Sequence, residues 1–316
     1  MPYSNPGIPR FYVNVLEWLH SVNYLWYWVN NQGIYTGGGT NHYRTLPIEP
    51  NLPNYQSNFQ VNIKHELPQR GGVSFGSFNQ YSFCAVLGHG DLDNSKIYIN
   101  DTGTTETNIV NWATNNIPLQ GFHMMSFDAS DAITIRVNIT PNYSNVGSVV
   151  LGTYYDMPHS PGLNLTMERE MNIKRVRTKG GNDLIDYKYN KPTMWGNAAA
   201  WELHDGSTGI HKLSRGGRRI WDLSFTLSES DLFPDSSNVA WEGSYANYTA
   251  SMGKTLLEDN TFYSQVIHRT HGLPFIFQPD NKYPDFAICK FNQSSFKFSQ
   301  VANGLYNVKL KIREVW

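Results

Sequence analysis

Ten histidines and two cysteines are the side chains that could bind a metal ion or move a proton, and their spacing argues against both roles. A protein metal site usually draws ligands from Cys-X2-Cys or His-X3-His spacings, and neither occurs. His268 and His271 stand three apart without an evident acidic or cysteine partner, and Cys84 and Cys289 lie far apart in the chain as buried free thiols. No Gly-X-Ser-X-Gly elbow is present. The Gly-rich pieces Lys179-Gly180-Gly181 and Arg215-Gly216-Gly217-Arg218-Arg219 lack the Lys-Ser/Thr and the strand-to-helix setting of a phosphate loop, so they read as hairpin turns. Paired carboxylates of the glycosidase type leave no local mark in a β-rich chain, and none is singled out. The expectation is therefore no catalytic residue, no metal and no cofactor.

Two groups of residues are suited to recognition instead. Arg215, Arg218 and Arg219, with Lys174, Arg175 and Arg177, offer cationic heads that fit the carboxylates of a neighbouring subunit or, less often, phosphate. Trp26, Trp28 and Trp112 have flat faces on which sugar rings stack, and the same residues serve equally well as core.

These residues must be held by β-structure. Aromatics make up 14% of the chain, and with the abundant Asn, Ser, Thr and Gly this is a profile of short strands joined by polar turns. The length of 316 residues suggests two main domains of about 150 residues each. Lys+Arg number 25 against Asp+Glu 26, so a general binder of nucleic acid or anionic membrane is disfavoured and any electrostatic role is local. The first residues lead to no apolar run long enough for a signal peptide or a membrane span, which predicts a protein made in the cytoplasm that stays soluble.

Along the chain, Arg10 to Val29 predicts a short helix followed by a strand, and the Gly- and Pro-rich run to Pro53 predicts an extended arm. Phe83 to Leu87 reads as a buried strand, while Ile133, Ile135, Val137 and Ile139 alternate with polar residues and Val149 to Gly152 reads as a further central strand. The prolines at 158 and 161 mark a boundary. Beyond it, Trp221 to Leu227 and Val308 to Ile312 alternate as half-buried strands. Between them, Asp259 caps a helix through Phe262, Tyr263, Val266 and Ile267 that ends near His271-Gly272. Three units result: an N-terminal helix, strand and arm over 1–74, a β-sandwich over 75–155, and a β-barrel or sandwich with one packed helix over 156–316.

Charge divides the last unit. Glu168 to Arg219 holds eleven Lys/Arg and six Asp/Glu, or 11 − 6 = +5; Asp222 to Asp259 holds one Lys and seven Asp/Glu, or 1 − 7 = −6. Such neighbours pair internally in a monomer or set which face meets which neighbour in a ring or stack.

Residues Phe83-Cys84-Ala85-Val86-Leu87-Gly88-His89-Gly90-Asp91-Leu92 resemble the "LGHN-L" segment of galactose-binding-like jelly-roll modules in phage tail proteins, with Gly90 in place of the usual Asn. The resemblance implies that His89 structures the turn. The order of strand Arg218 to Leu227, helix near Thr261 to His271, the segment His271 to Pro279, and a final Tyr306 to Glu314 is similar to the terminal barrel of distal-tail and minor tail proteins of bacteriophages, over roughly a hundred residues. That resemblance implies a homo-oligomeric ring, a hexamer or trimer, which joins the tail tube to the tip beside other phage tail proteins. It also implies a virion location after assembly in the host cytoplasm, no membrane, and DNA contact only by lining a conduit through Arg215, Arg218, Arg219, Lys174, Arg175 and Arg177. The alternative is a carbohydrate-binding module for a host surface glycan, with a polysaccharide hydrolase third.

Overall fold

The computed structural model describes residues 7–21, 26–28, 59–64, 79–87, 96–99, 109–111, 117–119, 122–129, 134–139, 148–170, 173–186, 194–195, 198–199, 218–234, 260–270, 272–283 and 285–315. The chain is mainly β, as the composition predicts. Its strands in the first half are β1 (Arg10–Val13), β2 (Trp26–Trp28), β3 (Phe59–Lys64), β4 (Ser82–Leu87), β5 (Lys96–Ile99), β6 (Ile109–Asn111), β7 (Ile117–Leu119), β8 (Phe122–Phe127), β9 (Thr134–Ile139) and β10 (Ser148–Asp156). They continue as β11 (Thr166–Glu170), β12 (Lys174–Arg177), β13 (Asp183–Asp186), β14 (Met194–Trp195), β15 (Ala198–Ala199), β16 (Arg218–Ser228), β17 (Phe275–Gln278), β18 (Ala287–Phe291), β19 (Phe298–Ala302) and β20 (Leu305–Glu314). Two short α-helices, α1 (Val15–Ser21) and α2 (Glu229–Leu232), accompany a π-helical turn, Tyr263–Ile267, that runs into an α-helical end at His268–Thr270.

The main sheet has the order β11-β16-β20-β18-β17-β1-β10-β4-β8-β7, with β19 branching from β20. A second sheet runs β2-β3-β9-β5-β6, and β12-β13 and β14-β15 form separate pairs. Over the last unit the described strands form part of an open sheet, and no closed barrel is seen among the described residues, where the outer edge of β11 meets no further strand.

The main sheet also passes through the boundary expected at residue 156. β1 lies between β10 and β17, with Phe11 opposite both Tyr155 and Phe277. Asp156, the last residue of β10, takes two hydrogen bonds of 2.7 Å from the Arg10 guanidinium, which also lies 4.2 Å over the Tyr154 ring. The segment 75–155 is itself divided, with β4, β7, β8 and β10 in the main sheet and β5, β6 and β9 in the second. Strand β1 precedes α1, where the sequence pattern predicts only a helix followed by a strand.

The middle of the main sheet is covered on both faces, which explains its unbroken apolar runs. In β1, Phe11 and Val13 enter one core with Phe275, Phe277, Trp221 and Leu310, while Tyr12 enters the other with Phe83, Ile276 and Ile288. Strands β16 and β20 alternate instead, burying Trp221, Leu223, Phe225 and Leu227 against Val308, Leu310 and Ile312 and leaving Asp222, Thr226 and Lys309 exposed. Phe262, Val266 and Ile267 dock the π-helical turn onto this core. Thr261 holds its start, its hydroxyl accepting from the Ser264 amide at 3.3 Å; Asp259, expected as the cap, lies outside the described residues. Gly272 follows with φ +85°, the left-handed conformation that ends a helix at glycine. Gly152 is required for another reason: a Cβ there would collide with the Val13 carbonyl oxygen and approach the Val15 amide nitrogen to 2.8 Å.

Candidate assembly surface

Residues 161–170 and 173–186 form an edge arm, whose first part lies along the outer edge of β16, with the Gly162 amide donating to the Ser224 carbonyl at 2.8 Å, and whose second part is a hairpin. Strand β11 pairs with β16 in register Thr166 to Asp222 through Glu170 to Arg218, and all but its last residue are exposed. The chain then forms the β12-β13 hairpin, which pairs Lys174 with Asp186, Arg175 with Ile185, Val176 with Leu184 and Arg177 with Asp183. The Lys179-Gly180-Gly181 turn forms as expected: Gly181 takes φ +84°, and the Thr178 hydroxyl accepts from the Asn182 amide at 3.1 Å and donates to the Asn182 carbonyl at 3.0 Å. Local turn chemistry sets the register of the hairpin.

Nothing among the described residues covers it. Of the nine large apolar side chains exposed among the described residues, six belong to this one arm: Leu163, Met167, Ile173, Val176, Leu184 and Ile185. Leu163 is 97% exposed, and Val176 and Leu184, which face each other across the hairpin, are each 61% exposed. Scattered apolar residues are ordinary on a protein surface, whereas a concentration along one edge element marks an interaction site. A lone two-stranded hairpin is marginal in water, which gives a second reason for it to pack on a partner.

The cationic residues named from the sequence separate into two environments. Lys174, Arg175 and Arg177 stand exposed along β12, with Arg175 paired to Asp183. Arg218 and Arg219 belong to β16, which corrects the expectation that they sit in a hairpin turn; Arg215 lies outside the described residues. Arg218 is half-buried, 3.9 Å from Glu170, and Glu170 also receives a 2.6 Å hydrogen bond from Arg313.

Arg219 is 5% exposed and is corrected from an interface or lumen contact to a structural ion. Its guanidinium donates to Glu314 at 3.2 Å, to Asp285 at 2.8 Å and to the Phe286 carbonyl at 3.1 Å, and its backbone amide donates to Glu314 at 2.8 Å. Burial opposes the charge, but Glu314 and Asp285 outweigh burial and hold the guanidinium above its ordinary range. The inward turn follows from period two: Arg219 shares a face with Trp221, over whose ring it lies at 5.2 Å. Alternation placed that face inward, but Glu314, 95 residues away, and Asp285 are what make a cation tolerable there.

Trp26 and Trp28 lie in β2, and nothing is described of their side chains; Trp112 and His89 lie outside the described residues. Sequence reasoning singled out neither Glu314 nor Arg269. Arg269 is 1% exposed, donates to the Thr153 hydroxyl at 3.0 Å and lies 5.4 Å from the Trp18 ring. Burial pushes its guanidinium down to about 10.

Among the described residues no group of three His, Cys, Asp or Glu converges as a metal site would require, and no helix is long and apolar enough to cross a membrane. Comparison with protein-family models, with curated proteins and with solved structures found no match to this chain.

Proposed function

We propose that this chain is a structural protein of a bacteriophage tail, which acts by assembly into a homo-oligomeric ring between the tail tube and the tip apparatus. The observation that carries the reading is the arm: six exposed apolar side chains and five exposed cations, Arg169, Lys174, Arg175, Arg177 and Lys179, on one edge element. A second feature supports it. The sheet ends at β11 with an unpaired edge among the described residues, and a neighbouring copy in a ring would cover that edge and remove its tendency to aggregate.

The order of strands and helix in the C-terminal part, which resembles distal-tail proteins, is the ground for the tail assignment and its virion location. The jelly-roll character of the segment around β4 belongs to the same proposal, as do assembly without catalysis, contacts with other tail proteins, and a conduit for DNA. In this reading the barrel character comes from neighbouring copies that continue the open sheet.

The test is the solution mass of the 36.0 kDa chain by light scattering, with negative-stain images of the same fractions. Threefold or sixfold rings with a central hole are the expected result. A monomer at every concentration, which saturably binds a host glycan instead, would replace this reading with the carbohydrate-recognition one.

A further inference from the structure

We propose that copies of this chain join head to tail, the β12-β13 hairpin of one copy seating on the β19-β20 turn and α2 of the next. The inference rests on the ring reading above and adds the identity of the receiving surface.

Two patches carry it. The donor is the hairpin, with Val176 and Leu184 on one face and exposed Lys174, Arg175, Arg177 and Lys179 against Asp183 and Asp186, a cationic excess of two. The receiver lies at the turn from β19 to β20. Of the three exposed large apolar residues outside the arm, two, Val301 and Leu305, sit here, the second 39% exposed. The exposed Glu229 is locked to the same turn, its amide donating to the Gly304 carbonyl at 2.8 Å, and Ser228 is the register partner of Leu305. One patch is apolar and cationic, the other apolar and anionic. The wider sequence repeats the contrast, with +5 over Glu168 to Arg219 and −6 over Asp222 to Asp259.

Within one copy the chain enters the hairpin at the end of β16 far from the receiver. Strand β11 runs toward the Arg218 end of β16 and delivers the arm there, whereas the receiver is beside Ser228, the other end of that strand. Ten residue steps along a strand span about 33 Å. Different patches at opposite ends of one strand make a heterologous contact, which gives a ring where the rotation closes and a stack where it does not.

The experiment uses the full chain. Reversal of the donor (Lys174→Glu with Arg177→Glu) and reversal of the receiver (Glu229→Lys) are made separately and together, and each is checked for an unchanged circular dichroism spectrum. Each reversal alone should weaken association by roughly tenfold, since like charges facing each other at an interface are repulsive, and the combined variant should recover most of the loss. Disulfide trapping supplies a readout that does not depend on charge: Leu184→Cys in one tagged copy and Leu305→Cys in another should give a mixed crosslink under mild oxidation. Multimers that form normally in both reversals and give no mixed crosslink would overturn this contact and leave the ring reading in place. A wild-type chain that stays monomeric at all concentrations would overturn both.

Discussion

Glu314→Ala is expected to destabilise this protein by about 3–5 kcal/mol, the range for removing one partner of a buried ion pair. At 2% exposure Glu314 accepts from the Arg219 amide at 2.8 Å and from its guanidinium nitrogens at 3.4 Å and 3.2 Å. A unit-charge pair at 3.2 Å is worth about 5 kcal/mol at an effective dielectric near 20, and desolvation of the two ions returns several kcal/mol of that. The net value of the pair is therefore small while it is intact. Truncation to Ala leaves the desolvation of Arg219 in place while removing its closest buried counter-charge, with Asp285 and the Phe286 carbonyl still accepting from it, and strips the Arg219 amide of its acceptor, which alone costs about 1–3 kcal/mol. Replacing both charges with apolar residues of similar size, Arg219→Met with Glu314→Leu, should cost less than the single change. Urea denaturation followed by tryptophan fluorescence measures both. If Glu314→Ala costs under about 1 kcal/mol, or the double replacement costs more than the single, the buried-ion argument is wrong.

Gly152→Ala should be destabilising by about 3 kcal/mol or more, since β1 must move off β10 to admit the methyl group, whereas Gly180→Ala, whose nearest neighbour would be the Thr178 hydroxyl at 4.0 Å, should stay within about 0.5 kcal/mol; thermal melts of the two variants decide it. Stability should fall as pH rises above the ordinary thiol and phenol values of 9.0 and 10.0. Burial pushes Tyr12 up to about 12 and raises Tyr155, Cys84 and Cys289, so the folded state holds protons that the unfolded state has released. Arg269, lowered to about 10, works the other way but is one group against five, since burial raises Tyr154 as well. A urea-midpoint series from pH 8 to 12 should therefore slope downward, and more shallowly in Tyr12→Phe; a flat or rising series would refute the sign. Val176→Asp with Leu184→Asp should abolish assembly in light scattering while the melting temperature of the monomer moves little, because neither side chain is buried in the single chain.

How much of this was legible beforehand depended on the range of the interactions. The strands β4, β9, β16 and β20 were readable because burial on one face imposes period two and burial on both faces imposes an apolar run, and both patterns are local. The Gly180-Gly181 turn was readable for the same reason. The bridging role of β1 was not, since Arg10–Val13 is four residues whose partners on β10 and β17 lie about 145 and 268 positions away, as the pairings Arg10 to Asp156 and Arg10 to Gln278 place them. A boundary drawn at the prolines after Asp156 was locally reasonable, and the Arg10 to Asp156 pair crosses it.

The candidate site divides along the same line. Residue types alone determined that this chain is β-rich, nearly neutral overall and split into oppositely charged neighbouring segments. Only the tertiary structure decided that Arg219 is a buried structural ion while Lys174, Arg175 and Arg177 face solvent, although all four are cations within strands. A strand pattern specifies which side chains share a face, and whether that face meets a core, a counter-ion or water depends on what the rest of the chain packs against it.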